Sequence, residues 1–152
     1  MPSADFARDI TVTAPPDRCW PVLVDARRVG GWVSIVGEVE ELESLARYRT
    51  MLQDRFGPFK LKADVDVRVT GLEEGRWIRF HASGTDRQVN SSIDVEAELR
   101  LEPSTTGTRI AVSGRYSVIG TVATMGAGTI QKKADHVLEE FFAAAAQELE
   151  TL

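Results

Sequence analysis

TVATMGAGTIQKKADHVLEEFFAAAAQEL, residues 121–149, decides how the rest of the chain must fold. At about 100° per residue, Ala123, Ala127, Ile130, Ala134, Val137, Leu138, Phe141 and Ala145 fall on one stripe. Lys132, Lys133, Asp135, Glu139 and Glu140 fall mostly elsewhere. The pattern predicts one long amphipathic helix from Thr121 to Leu149, roughly 40 Å at ~1.5 Å per residue. A stripe of that length cannot hide against a short helix, so it needs a broad apolar surface to lie across. The stripe is also uneven: Gly126, Ala127, Gly128 and Ala134 leave room in its first half, whereas Val137, Leu138, Phe141 and Phe142 plug the far end.

The strands upstream supply that surface. Phe6 to Val12 alternates, with Phe6, Ile10 and Val12 on one side and Arg8 in phase with them. Ala14-Pro15-Pro16-Asp17 starts a short helix whose apolar face is Cys19, Trp20, Leu23 and Val24, and Pro21 keeps it short or bent. Asp25 to Trp32, through Gly30-Gly31, reads as a turn and a second short helical piece. Strands are then predicted over Val36–Leu42, Ala46–Leu52, 59–69, 77–82, 93–101 and 108–118, with hairpin turns at Gly71, Gly75, Gly84 and Gly107. The segment after Gly57-Pro58 alternates without a break, placing Phe59, Leu61, Ala63, Val65, Val67 and Val69 against Lys60, Lys62, Asp64, Asp66 and Arg68. The expected architecture is α+β: a curved antiparallel sheet of about seven strands wrapped around the long C-terminal helix, with two short helices after the first strand. A sheet that curls around a single helix leaves a space between them.

At 152 residues the chain makes a single domain, and 43% hydrophobic residues suffice for a core. A net charge of −5 and a pI near 5.1, with no dense Lys/Arg cluster, argue against nucleic acid and against resting on an anionic membrane surface. One cysteine, Cys19, excludes an intrachain disulfide framework and a multi-cysteine metal site, and it falls on an apolar helix face. No signal peptide and no apolar run approaching ~18 residues is found, so the default location is cytoplasmic.

Individual side chains carry little catalytic chemistry. Gly120, Gly126 and Gly128 precede a helix, but Gly120 to Gly126 is one residue too long for a phosphate loop and Ala127 stands where the lysine belongs. Flexible small residues at a cavity mouth are the functional reading preferred for them. His81 and His136 both fall on wet faces, and no HExxH, Cys/His cluster or Ser-His-Asp spacing is present. Arg8, facing a core, needs a partner, a polar ligand or a route out to water. Tyr48, Thr50 and Tyr116 fall inward and can offer hydroxyls to a ligand's polar head or to backbone. The acids Glu139, Glu140, Glu148 and Glu150 oppose the helix dipole and serve solubility or a basic patch on a partner.

The element order resembles the START-like helix-grip domains, also called SRPBCC or Bet v 1-like. Thr13-Ala14-Pro15 with Trp20 and Asp25, Ile35-Val36-Gly37, Phe56-Gly57-Pro58-Phe59-Lys60-Leu61, Gly107-Thr108-Arg109, Ser117-Val118-Ile119-Gly120 with Met125-Gly126, and Phe141-Phe142 narrow the resemblance to the carbon monoxide dehydrogenase CoxG family. Two departures are a valine, Val36, where the family usually has proline, and a sequence ending at Leu152 where members often continue into a linker and membrane anchor. At most transient membrane contact is therefore expected, peripheral and through a partner.

The resemblance implies a hydrophobic cavity between sheet and helix. It also implies an accessory role toward a molybdenum hydroxylase of the CO dehydrogenase type, with a quinone-like lipophile held non-covalently and no covalent cofactor. The expected lining is Tyr48, Leu61, Phe80, Val95, Leu99, Tyr116 and Ile130, with Arg8 as a polar contact and with Trp32, Met125 and Gly126 at the mouth. Two other readings stay open on the same fold: a polyketide cyclase or dehydratase-like enzyme, which needs a convergent acid and base, and a structural adaptor, which needs an exposed apolar patch.

Overall fold

The computed structural model describes residues 3–56 and 58–150, without the side chains of Phe56 and Phe59. Strand β1 (Ser3–Val12) leads into helices α1 (Pro16–Leu23) and α2 (Ala26–Gly30). Strands β2 (Glu40–Glu43), β3 (Arg47–Phe56), β4 (Phe59–Glu73), β5 (Trp77–Asp86), β6 (Ser91–Ser104) and β7 (Gly107–Gly120) follow as a meander. A 3-10 turn (Thr121–Met125) and the final helix α3 (Ala127–Glu150) close the chain. The seven strands form one antiparallel sheet in the order β1-β7-β6-β5-β4-β3-β2, so β1 is added at the edge beside β7. This is the expected α+β helix-grip arrangement.

Local chemistry sets the early elements. Pro16 opens α1 and Asp25 caps α2 by accepting the Arg28 N–H at 3.3 Å. Cys19 and Trp20 of α1 enter an apolar cluster with Val12, Leu99, Leu101 and Ile110 from the sheet and Leu138, Phe142, Ala145 and Leu149 from the second half of α3. At the other end of the sheet's inner face, a second cluster joins Leu61, Ala63, Val65, Val118 and Val122 to Ile130 near the start of α3. The long helix is thus gripped by different apolar groups at its two ends.

Several expected boundaries move. The helix begins at Ala127, not Thr121, because Gly126 at φ 93° and ψ 155° breaks the path between the 3-10 turn and α3. Ala123 therefore leaves the helical stripe, although it still packs on the second cluster. The strand expected over Val36–Leu42 shrinks to Glu40–Glu43 plus one bridge from Val36 to Leu52. Its apolar residues pack the loop inward instead: Val39 lies against Gly30, where an added Cβ would meet Val39 Cγ2 at 2.6 Å. Gly71 and Gly84 lie within strands, not at turns. Gly71 sits at a bulge in β4 beneath Trp77, and Gly84 faces inward against Val65. Gly57, and the side chains of Phe56 and Phe59 in the expected alternation, lie outside the described residues.

Candidate functional site

The inner face of the sheet is read from its register. Val67, Ala82, Val95 and Tyr116 stand on successive strands β4 to β7, with Val67 paired to Ala82, Ala82 to Val95 and Val95 to Tyr116. Residues at the two ends of this face are buried, Leu61, Ala63 and Val65 at one and Leu99, Leu101 and Ile110 at the other. Those between them, Val67, Val69, Phe80, Ala82, Val95 and Tyr116, stay half-buried. Ala134 and Val137, at mid-length on α3, are half-buried too. An apolar strip with partial solvent access therefore runs across the middle of the sheet, between the two packed clusters.

The expected lining residues divide accordingly. Leu61, Tyr116, Met125 and Ile130 gather in the second cluster, and Leu99 and Trp32 join the first, with the Trp32 ring 5.6 Å from Phe141. Phe80 and Val95 lie in the strip between. A recess lined by Leu61, Ala63, Ser91 and Val118 has no room for a water molecule, so that end is closed by packing. Gly126 sits at the break before α3 with nothing within 4 Å of an added Cβ, which leaves open space at the position expected to form a mouth.

Tyr48 corrects the expectation of a ligand-facing hydroxyl. It is 7% exposed and its phenol oxygen accepts the Leu45 N–H at 2.9 Å, holding the β2–β3 turn. Thr50 is likewise committed, donating to the carbonyls of Gly37 and Glu38 at 3.3 and 3.0 Å. Tyr116 differs. Its hydroxyl has no hydrogen-bond partner among the described residues, and burial, then the charge of Asp135, pushes the phenol above its usual range.

Arg8 finds its counter-charge on α3, with Asp135 Oδ1 3.4 Å from the guanidinium. The two rim a cleft of about 210 Å³ between β1 and α3, also lined by Phe6, Tyr116, Gln131 and Leu138. Sequence reasoning misses Asp135 because its helical phase puts it off the apolar stripe. The available signal is Arg8 itself, an inward charge on an edge strand that demands an anion from whatever covers it.

Other polar contacts lace α3 to the body. Lys133 Nζ lies 3.1 Å from Asp54 on β3, Glu140 accepts the Ser34 N–H and Oγ–H at 3.2 and 2.9 Å, and Glu148 pairs with Arg28 at 3.0 Å. Two of the helix acids expected to serve solubility or a partner are therefore engaged within the chain. Both histidines lie away from the inner face, His81 2.6 Å from Asp94 on the outer sheet surface and His136 3.5 Å from Glu140. Among the described residues no group of three His, Cys, Asp or Glu side chains could hold a metal, and no helix is long and apolar enough to cross a membrane.

A family model described as carbon monoxide dehydrogenase CoxG matches residues 9–150. No curated protein matches the sequence. Among solved structures, a conserved protein from Geobacillus kaustophilus superposes with a TM-score of 0.82 at 17% identity, over 98% of this chain and 95% of that one. A Deinococcus radiodurans protein gives 0.65 at 16%, over 97% and 98%. DynU16, from the dynemicin biosynthetic locus, gives 0.60 at 23%, over 97% of this chain and 47% of that chain. At these identities the likenesses establish the fold alone.

Proposed function

We propose that the chain, which belongs to the carbon monoxide dehydrogenase CoxG family, is a non-enzymatic carrier that holds a lipophilic, quinone-like molecule between the sheet and α3. The carrier acts as an accessory to a molybdenum hydroxylase of the CO dehydrogenase type. Family membership supports the ligand-binding helix-grip role, and the family's name supports the partner.

The observation that carries the reading is the half-buried strip of Val67, Val69, Phe80, Ala82, Val95 and Tyr116 beside two well-packed clusters. An apolar surface with a few polar groups at its border is what small-molecule sites generally present. Capture follows from burying the ligand's apolar area there, at about 25 cal/mol per Å² removed from water. Handover requires α3 or the Trp32 loop to move, and the polar laces between α3 and the body are contacts that can break without exposing the packed clusters. A catalytic reading is disfavoured by placement: both imidazoles face outward, and Arg8 and Asp135 neutralise one another.

Native mass spectrometry with organic extraction of the purified protein tests the proposal. A stoichiometric lipophile is expected, and Val95→Trp, which fills the strip, should remove it. Protein that is empty and also rejects added quinones would sink the carrier reading.

A further inference from the structure

We infer that the cleft between β1 and α3 recognises the polar end of the ligand and selects a neutral single ring bearing a carbonyl oxygen. The inference rests on the carrier reading, of which it names the polar end. Size sets the first limit. An apolar cavity of about 150 Å³ holds one benzene, so a cleft of about 210 Å³ takes one substituted ring and excludes a fused polycycle. Phe6, Ala134 and Leu138 supply apolar walls for the faces of that ring.

Charge sets the second limit. Arg8 contributes one positive charge, opposed by Asp135 at 3.4 Å and by Asp5 on the rim, itself 3.6 Å from Arg115. An anionic head would meet two carboxylates and a cationic head would meet the guanidinium, so a neutral head is favoured.

Hydrogen-bond inventory sets the third. A guanidinium has five N–H donors, and one carboxylate at 3.4 Å leaves most of them unused. The Tyr116 hydroxyl is a donor without a partner among the described residues, in contrast to the occupied Tyr48 phenol. Two donors facing one small cleft suit an acceptor with two lone pairs, a carbonyl oxygen. Tyr116 also packs on the second apolar cluster and pairs in register with Val95. A substituent on the far side of the ring would therefore run directly onto the apolar strip.

Acetophenone and isopropylbenzene test this, since they share a shape and differ by a carbonyl oxygen in place of a methyl group. In NMR titrations of the full chain, acetophenone should shift the Arg8 Nε–H and Tyr116 ring signals and bind about fivefold tighter than isopropylbenzene. Tyr116→Phe keeps the ring packing and should weaken acetophenone about fivefold while leaving isopropylbenzene unchanged. Arg8→Met, which keeps the apolar stem, should act in the same direction and gives an independent second variant. Equal affinity for the two probes with no response to either variant overturns the head-group site while leaving an apolar carrier intact. Shifts confined to Val95 and Phe80 overturn it in the same way. Binding of neither probe overturns it as well, and the extraction experiment then decides the carrier reading separately.

Discussion

Asp86 is a carboxylate only 3% exposed, yet it is held by three backbone donors: the N–H groups of Lys62, Gln88 and Val89 at 2.6, 2.9 and 3.4 Å. The Lys62 amide is the main reason that its carboxyl titrates below the usual range, against the opposing effect of burial. Since the folded value lies below the unfolded one, the stabilisation is complete above the ordinary aspartate range near ~4 and is lost as pH falls through the folded value. Asp86→Ala should therefore cost about 1–3 kcal/mol in urea unfolding at pH 7. The gap to the natural chain should narrow as the pH drops below ~4; a gap that stays constant with pH would show that the side chain acts through packing alone. Such residues are hard to read in a sequence. An aspartate closing an alternating run looks like a turn residue, and its tie to Lys62 on a strand two elements back depends on register. Thr108 has the same character: fully buried, it donates to the Ala14 carbonyl at 2.7 Å across 94 positions of sequence. Arg8 is legible because a lone charge in an apolar phase announces a need, even though Asp135 as the answer is not.

Among the elements, α3 is the most legible and its start the least. Periodicity from Ala127 onward reports a helix because bulky residues recur at its spacing, but Ala123 keeps the same phase through a 3-10 turn that packs on the same cluster. Phase alone cannot register a change of backbone path when small residues sit on both sides of it. Gly126 makes that change, at φ 93° and ψ 155°, in a region nearly reserved for glycine. Gly128, two residues on, lies within the helix with open space around it. The two glycines should respond to alanine in opposite directions. Gly126→Ala meets no atom, so its cost is backbone strain of about 1–3 kcal/mol, or a melting midpoint lower by roughly 5 °C. Gly128→Ala should raise the midpoint by roughly 2–4 °C, because alanine loses less freedom than glycine on entering a helix. Thermal unfolding of both variants checks the pair. A similar loss at both positions would mean that the break is not where the helix begins. The segment over Val36–Leu42 misleads for the opposite reason: its valines are apolar because the loop is packed, with Gly37 and Gln53 amides bonding to Met51 and Ile35 across a single bridge.

In the whole molecule, grip on α3 is uneven. Leu138, Phe142, Ala145 and Leu149 enter the larger cluster, whereas the first half contributes Ile130 to the smaller one and is otherwise tied by ion pairs such as Lys133–Asp54 and Arg8–Asp135. Exposed pairs of this kind are worth at most about 1 kcal/mol each, so the first half of α3 should open without unfolding the rest. Hydrogen exchange should find amides over residues 131–137 exchanging more than about tenfold faster than those over 142–149. A lipophile seated on the strip beneath should slow the first set and leave the second nearly unchanged. At a hundred times its Kd it should also add about 2.7 kcal/mol to global stability. The two readouts separate the carrier from an adaptor. A surface adaptor has no reason to protect the buried side of one half of a helix, whereas a carrier must, since the ligand replaces water against Ala134, Val137 and Tyr116. Uniform protection along α3, unchanged by any quinone that the protein binds, would place the ligand outside the sheet–helix interface and leave the mid-sheet strip as an imperfection of packing.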